Sequence, residues 1–119
     1  MKAILIISHG SRFAKTKDEV CLLAKKLKEL NPNFLVRPAF LELEYPDIPT
    51  GIQECVEEGA DEVIVLMNFL NSGRHVDVDI PEIIRQCRMR YPDVAMRISQ
   101  PVGQHPEIYQ LFQDLIHKT

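Results

Sequence analysis

The 119-residue chain has only five glycines, and none of them forms a nucleotide-binding loop. No G-x-G-x-x-G follows a strand-like run, no G-x-x-x-x-G-K-[ST] occurs, and G-x-S-x-G is missing. These absences argue against a dinucleotide enzyme, a P-loop NTPase and an α/β-hydrolase, whose chemistry depends on those backbone cradles and turns. Cysteine is scarce as well. Cys21, Cys55 and Cys87 are odd in number, widely spaced and free of any C-x-x-C, so neither a zinc knuckle nor a thioredoxin-like site is supported. Each falls in a helix-forming stretch beside apolar neighbours, which reads as reduced packing in a cytoplasmic protein. There is no excess of positive charge: 14 basic against 17 acidic residues leave a net charge of −3 and no broad basic field for nucleic acid. Long apolar runs are lacking too. The N-terminal run Ala3 to Ile7 is too short for a signal core or a membrane span, and no membrane partner is expected.

The apolar pattern that is present alternates between two periods. Ala3–Ile7 and Val63–Met67 are nearly continuous runs, as in parallel strands buried on both faces. Phe34–Leu41 contains Arg37 and Pro38, and an internal proline suits an edge strand. Val94–Ile98 alternates, with Val94, Met96 and Ile98 on one side and Arg97 on the other. Between these lie four helical stretches. Thr16-Lys17-Asp18-Glu19 reads as a capping box before Val20, Leu23, Ala24, Leu27 and Leu30, and Asn31-Pro32 ends that helix. Asp47 caps a short helix carrying Ile52, Cys55 and Val56 that closes at Gly59. A third helix starts after Asp79 with Pro81 in its first turn and Ile80, Ile83, Ile84 and Cys87 inward. A last one follows Pro106 with Ile108, Leu111, Phe112, Leu115 and Ile116 inward. The order β-α-β-α-β-α-β-α predicts one α/β domain over residues 1–119, doubly wound around a four-stranded parallel sheet. With the proline- and charge-bearing strands outside, the strand order is 2-1-3-4, a flavodoxin-like half-sheet.

In such sheets ligands bind beyond the carboxyl ends of the strands, where the strand order reverses. Here that point lies between strands 1 and 3. Strand 1 runs into Ser8-His9-Gly10-Ser11-Arg12 and strand 3 into Phe69-Leu70-Asn71-Ser72-Gly73-Arg74-His75. His9 and His75 thus emerge at the same crevice. A pair of imidazoles suits an open, transient metal site or general-base chemistry near neutral pH, and is too small for a closed structural zinc site. Glu42, at the end of strand 2, can supply a third ligand or a proton acceptor. Glu44 reads as solvated or as a helix-side contact. Arg12 and Arg74 can clamp carboxylates or phosphates. Ser8, Ser11, Asn71 and Ser72 can donate hydrogen bonds or simply shape turns. His105, before Pro106, and His117, in the last helical turn, carry no assigned role.

Taken together, Ser8-His9-Gly10-Ser11-Arg12, Phe40-Leu41-Glu42-Leu43 and Phe69-Leu70-Asn71-Ser72-Gly73-Arg74-His75-Val76 with Asp79-Ile80-Pro81 resemble the short CbiX-like sirohydrochlorin cobaltochelatases among the class II chelatases. The resemblance covers nearly the whole chain. It implies a chelatase-like fold and ATP-independent insertion of Co²⁺ into sirohydrochlorin for cobalamin, with Ni²⁺ or Fe²⁺ as the metals of related enzymes. It further implies a metal substrate and no prosthetic group, and a homodimer, since longer relatives hold two facing domains. His9 and His75 match the family's metal-site histidines and Glu42 its acidic position. Ser8, Ser11, Arg12, Asn71, Ser72, Gly73 and Arg74 fall in the motifs that would hold the anionic macrocycle. Met67-Asn68 departs from the pattern, where proline is expected before Phe69. Two other classes compete. One is phosphoryl transfer through a nucleophilic His9, against which Ser8 stands where histidine phosphatases carry arginine. The other is a non-catalytic module that binds metal or tetrapyrrole.

Overall fold

The computed structural model describes all residues, 1–119. Strands β1 (Lys2–Ser8), β2 (Leu35–Phe40), β3 (Glu62–Met67) and β4 (Ala95–Pro101) form one parallel sheet in the order β2-β1-β3-β4. The expected order therefore holds, and Pro38 lies on the edge strand β2, opposite Ile6. Helices α1 (Ala14–Leu30), α2 (Ile48–Glu57), α3 (Ile80–Arg90) and α4 (Ile108–Lys118) follow the strands in turn. The first crossover runs one way along the sheet and the next two run back. Right-handedness accordingly puts α1 on one face and α2 and α3 on the other.

The two faces are unequal. On the α2/α3 face, Ala3, Leu5 and Ile7 join Val63, Val65, Ile52 and Ile84 in a core cluster of 16 buried residues. On the α1 face the cluster is only Ile6, Val20, Ala24 and Phe40. The main core carries the stability, each fully buried aliphatic side chain contributing about 1.5–3 kcal/mol.

Several expectations need correction. The run Val63–Met67 is not buried on both faces: Val63, Val65 and Met67 are, whereas Ile64 and Leu66, on the α1 face, are only half-buried. The apolar stripe of α4 does not face inward. No α4 residue is buried, and Leu111, Phe112, Leu115 and Ile116 are all largely exposed. Helix α1 starts before Thr16, at Ala14, with Phe13 at the cap and no side-chain cap. The Lys17 ammonium donates to the Tyr45 carbonyl at 2.9 Å. Asp79 is not a cap but a helical residue, because the helix begins a turn earlier than α3 itself, in a π-helical turn over His75–Asp79. Asp47 does cap α2, accepting from the Thr50 amide at 2.9 Å.

The cysteines divide. Cys55 and Cys87 are buried, whereas Cys21 is exposed rather than packed. Burial pushes the Cys55 thiol up to about 11 and raises that of Cys87 as well. Only a thiolate alkylates readily, so iodoacetamide at pH 8 is expected to label Cys21 alone in the native protein. Mass spectrometry of the digest checks this, and labelled Cys55 without denaturant would contradict it.

Candidate metal site at the strand ends

The sheet's hydrogen-bond ladder continues past its last strand residues and holds the site together. The Leu41 amide donates to the Ser8 carbonyl at 2.9 Å and the Glu42 amide to the His9 carbonyl at 3.0 Å, so Glu42 is stitched beside His9. The intervening Gly10 has φ +102°, and a Cβ there would lie 1.8 Å from the Glu42 carbonyl oxygen. Only glycine allows the two loops to approach this closely. After Glu42 the chain reverses: Leu43 has φ +69° and the Glu44 amide donates to the Glu42 carbonyl at 2.9 Å. The Tyr45–Pro46 peptide is cis. Glu44, expected to be solvated or a helix-side contact, accepts from the Ser11 amide at 2.7 Å and braces the His9 loop from the opposite side.

From β3, the Asn68 amide donates to the Ile7 carbonyl at 2.9 Å and its side-chain amide to the Ser8 hydroxyl at 3.0 Å. Asn68, the residue that departs from the family pattern, thus ties the two central strand ends together. The chain then enters the π turn. There the Ile80 amide bonds to the His75 carbonyl, five residues back. Pro81 has no N–H, so the ladder beyond His75 cannot follow a regular α register. The π turn stacks His75 against Asp79, whose carboxylate lies 2.8 Å from His75 Nδ1.

One donor atom each from His9, Glu42 and His75 lies within 4.8 Å of the others. The two imidazole centroids are 5.2 Å apart with planes tilted by 48°. All three side chains are about half exposed, at 44% for His9, 52% for Glu42 and 48% for His75. Each histidine has its second nitrogen occupied. His9 Nδ1 lies 3.1 Å from the Gly10 carbonyl, which can only accept, so Nδ1 carries a proton. His75 Nδ1 likewise faces the Asp79 carboxylate. That leaves both Nε2 atoms as the outward ligands, the arrangement that orients imidazoles toward a metal. His9 Nε2 also lies 2.8 Å from a Glu42 oxygen. A ring N–H or a metal ion between the two atoms accounts for that distance.

The remaining residues named from sequence are distributed around this triad. Ser8 is buried, with its hydroxyl engaged by Asn68. The Ser11 hydroxyl accepts from the Phe13 amide at 3.1 Å, so it shapes its own turn. The Ser72 hydroxyl accepts from the Gln104 side chain, and Asn71 stands exposed. The Gly73 carbonyl accepts from the Asp77 amide at 2.8 Å, opening the π turn. Arg74 is 81% exposed, with a long 3.8 Å contact to Asp79, and Arg12 is exposed on the His9 loop. Asp79 and Glu44 were missed as supports of the site. The H-x-x-x-D spacing could have revealed Asp79, because residues four apart share a helix face. Glu44 left no such signal, because its partner is 33 positions away.

Known proteins resemble this chain in sequence and in fold. The CbiX family model matches residues 3–119. The chain is 30% identical over 119 residues to a sirohydrochlorin cobaltochelatase of Priestia megaterium, covering all of this chain and 39% of that protein. Other matched relatives are named sirohydrochlorin ferrochelatases. Among solved structures, a putative cobalamin biosynthesis CbiX protein from Marinobacter aquaeolei superposes with a TM-score of 0.85 at 25% identity, covering 99% of this chain and 96% of that one. The sirohydrochlorin chelatase SirB from Bacillus subtilis subspecies spizizenii, solved in complex with cobalt, gives 0.80 at 32% identity, covering 96% of this chain and 50% of that one. The chain thus spans about half or less of several proteins it matches.

Proposed function

The chain belongs to the CbiX family, and from that premise we propose that it inserts a divalent metal ion, cobalt foremost, into sirohydrochlorin without ATP. The observation that carries this reading is the trio of His9, Glu42 and His75, with Gly10 and Asp79 holding the far nitrogens of both rings. Three donors on one side leave the rest of the coordination sphere open, which suits an ion that is to be passed on. Metallation requires the ion to leave these donors as pyrrole nitrogens take over and two N–H protons depart. Glu42 and the imidazoles vacated by the metal are placed to accept those protons. Arg12 and Arg74 are exposed on the two loops that carry His9 and His75 and can pair with the macrocycle's carboxylates. Phe13, Leu43 and Leu70 are largely exposed on the three loops that carry or adjoin the site and offer an apolar rim for a flat ligand.

In this reading residues 1–119 act as one catalytic unit. A second copy of the chain supplies the remaining wall, because a tetrapyrrole is broader than this one crevice. The three free thiols and the lack of any helix long and apolar enough to cross a membrane are consistent with a cytoplasmic setting. Iron is the second metal to consider, favoured by the ferrochelatases among the relatives, since imidazole and carboxylate accept cobalt, nickel and iron alike.

The test is anaerobic metallation of sirohydrochlorin followed by absorbance, with Co²⁺, Ni²⁺ and Fe²⁺ in parallel. The expected result is acceleration above the spontaneous rate, greatest for Co²⁺. Binding of metal and macrocycle with no acceleration by any of the three ions would reduce the protein to a carrier. Hydrolysis of a generic phosphate ester in place of metallation would favour the phosphoryl-transfer alternative.

A further inference from the structure

Leu43 is the one residue other than glycine whose backbone lies at positive φ, at +69°. Side chains with a Cβ are uncommon there, and the usual exceptions are asparagine and aspartate, whose short polar groups bond to the local backbone. Leucine has no such compensation. The turn itself is tight: the Glu44 amide donates to the Glu42 carbonyl at 2.9 Å, closing three residues around Leu43. Turns of this kind with a positive central φ are rare and strained, and glycine would fit this one with less strain.

Burial does not account for the leucine. It is 56% exposed and belongs to neither core cluster. The segment already has its apolar anchor in Leu41, which packs against the main core.

The turn is nevertheless fastened on both sides to the loop that carries His9. The Glu42 amide donates to the His9 carbonyl at 3.0 Å, and the Glu44 carboxylate accepts from the Ser11 amide at 2.7 Å. Just beyond, the Tyr45 carbonyl is held by Lys17, and the Pro46 carbonyl accepts from the Phe40 amide at 2.9 Å. An exposed side chain at the apex of so fixed a turn loses little freedom when something covers it, so more of its apolar area counts toward affinity. Backbone strain held in place by its surroundings gathers at ligand clamps.

Position indicates what covers it. Leu43 adjoins Glu42, whose carboxylate lies 2.8 Å from His9 Nε2 and belongs to the trio with His75. Phe13, on the loop after His9, is 78% exposed, and Val78, in the turn that carries His75, is 52% exposed. Each of the three segments that supplies a donor thus also carries an exposed apolar side chain close by in sequence. A broad apolar ring brought to a metal at the trio matches that combination. We propose that Leu43 is a macrocycle-contacting residue that sets affinity for the tetrapyrrole, its isobutyl group held against the ring by a backbone conformation that leucine otherwise avoids. The inference rests on the metallation reading and adds to it one specificity-determining side chain.

Leu43→Gly and Leu43→Asn both accept the native φ and remove the apolar group. Both are expected to melt within about 3 °C of the native protein and to bind Co²⁺ within twofold of it. Metal-free sirohydrochlorin, titrated anaerobically and followed by absorbance, is expected to bind them about 10-fold more weakly, the effect of leaving a half-exposed leucine's area in water. The KM for the macrocycle should rise with it. Leu43→Met, which keeps the apolar area, is expected to retain native binding. Macrocycle affinity within twofold of native in both the glycine and asparagine variants overturns the inference. So does an equal loss of Co²⁺ affinity, which would make Leu43 a support for Glu42, or a changed sedimented mass with unchanged macrocycle binding, which would place it against a second copy. A native protein that accelerates metallation while its Leu43 variants bind the macrocycle as tightly overturns this inference alone. A native protein that neither binds nor metallates sirohydrochlorin overturns the metallation reading itself.

Discussion

His75→Ala is expected to slow cobalt insertion by on the order of 10²–10⁴-fold, the range for losing a positioned proton-transfer or ligating group. The trio loses one of its three donors, and the remaining His9–Glu42 pair cannot surround one side of an ion. Stability should change little, because the imidazole is 48% exposed and its one polar partner, Asp79, keeps access to water. Initial metallation rates, Co²⁺ titration and a thermal melt run together separate these effects. A variant within twofold of the native rate would remove His75 from the chemistry. Asp79→Ala should move in the same direction by about 10–100-fold, as expected when the group orienting a metal-bound histidine is lost.

Gly10→Ala is expected to destabilise the folded state sharply. The new Cβ would meet the Glu42 carbonyl at 1.8 Å, and the φ of +102° is one that alanine adopts only under strain. The loops carrying His9 and Glu42 must separate, breaking the 3.0 Å bond between their backbones. A loss of about 2–3 kcal/mol follows, with a fall in Tm on the order of 10 °C. Co²⁺ affinity should fall with it, because Glu42 is positioned by that bond. An unchanged Tm and an unchanged Co²⁺ titration would show that the loops tolerate the wider spacing.

The sheet was legible in the sequence because its signals are local. Two apolar runs, an edge proline and an alternating segment assign the four strands, and placing the proline- and charge-bearing strands outside orders them. The placement of His9 and His75 at one crevice follows from that order alone. What the sequence concealed depends on contacts between distant parts of the chain. Thr16 has the residues of a capping box, but its amide donates to the Phe13 carbonyl at 3.0 Å and the helix starts at Ala14. Asp79 looks like a cap because acidic residues before proline often are, whereas here it is spent on His75. Glu44 has no sequence signal at all. The most instructive differences are the half-buried Leu66 on β3 and the exposed stripe of α4. Both were expected to be covered: their apolar periodicity is plain in the sequence, but burial depends on what packs against a face, and no α4 residue is buried within the chain.

The π turn at His75–Asp79 acts as a phase setting between helix and cleft. A regular α-helix advances about 100° per residue, and a π turn accommodates one residue more than an α turn over the same rise. That extra residue decides which way the imidazole faces when α3 is anchored by Ile80 and Ile84 in the core. The helix can thus answer to the core at one end and to the cleft at the other, with a single wide turn reconciling the two angles. A lineage that lost the extra residue would keep α3 packed as before and find its second imidazole rotated toward solvent, its metal chemistry gone from an otherwise intact fold.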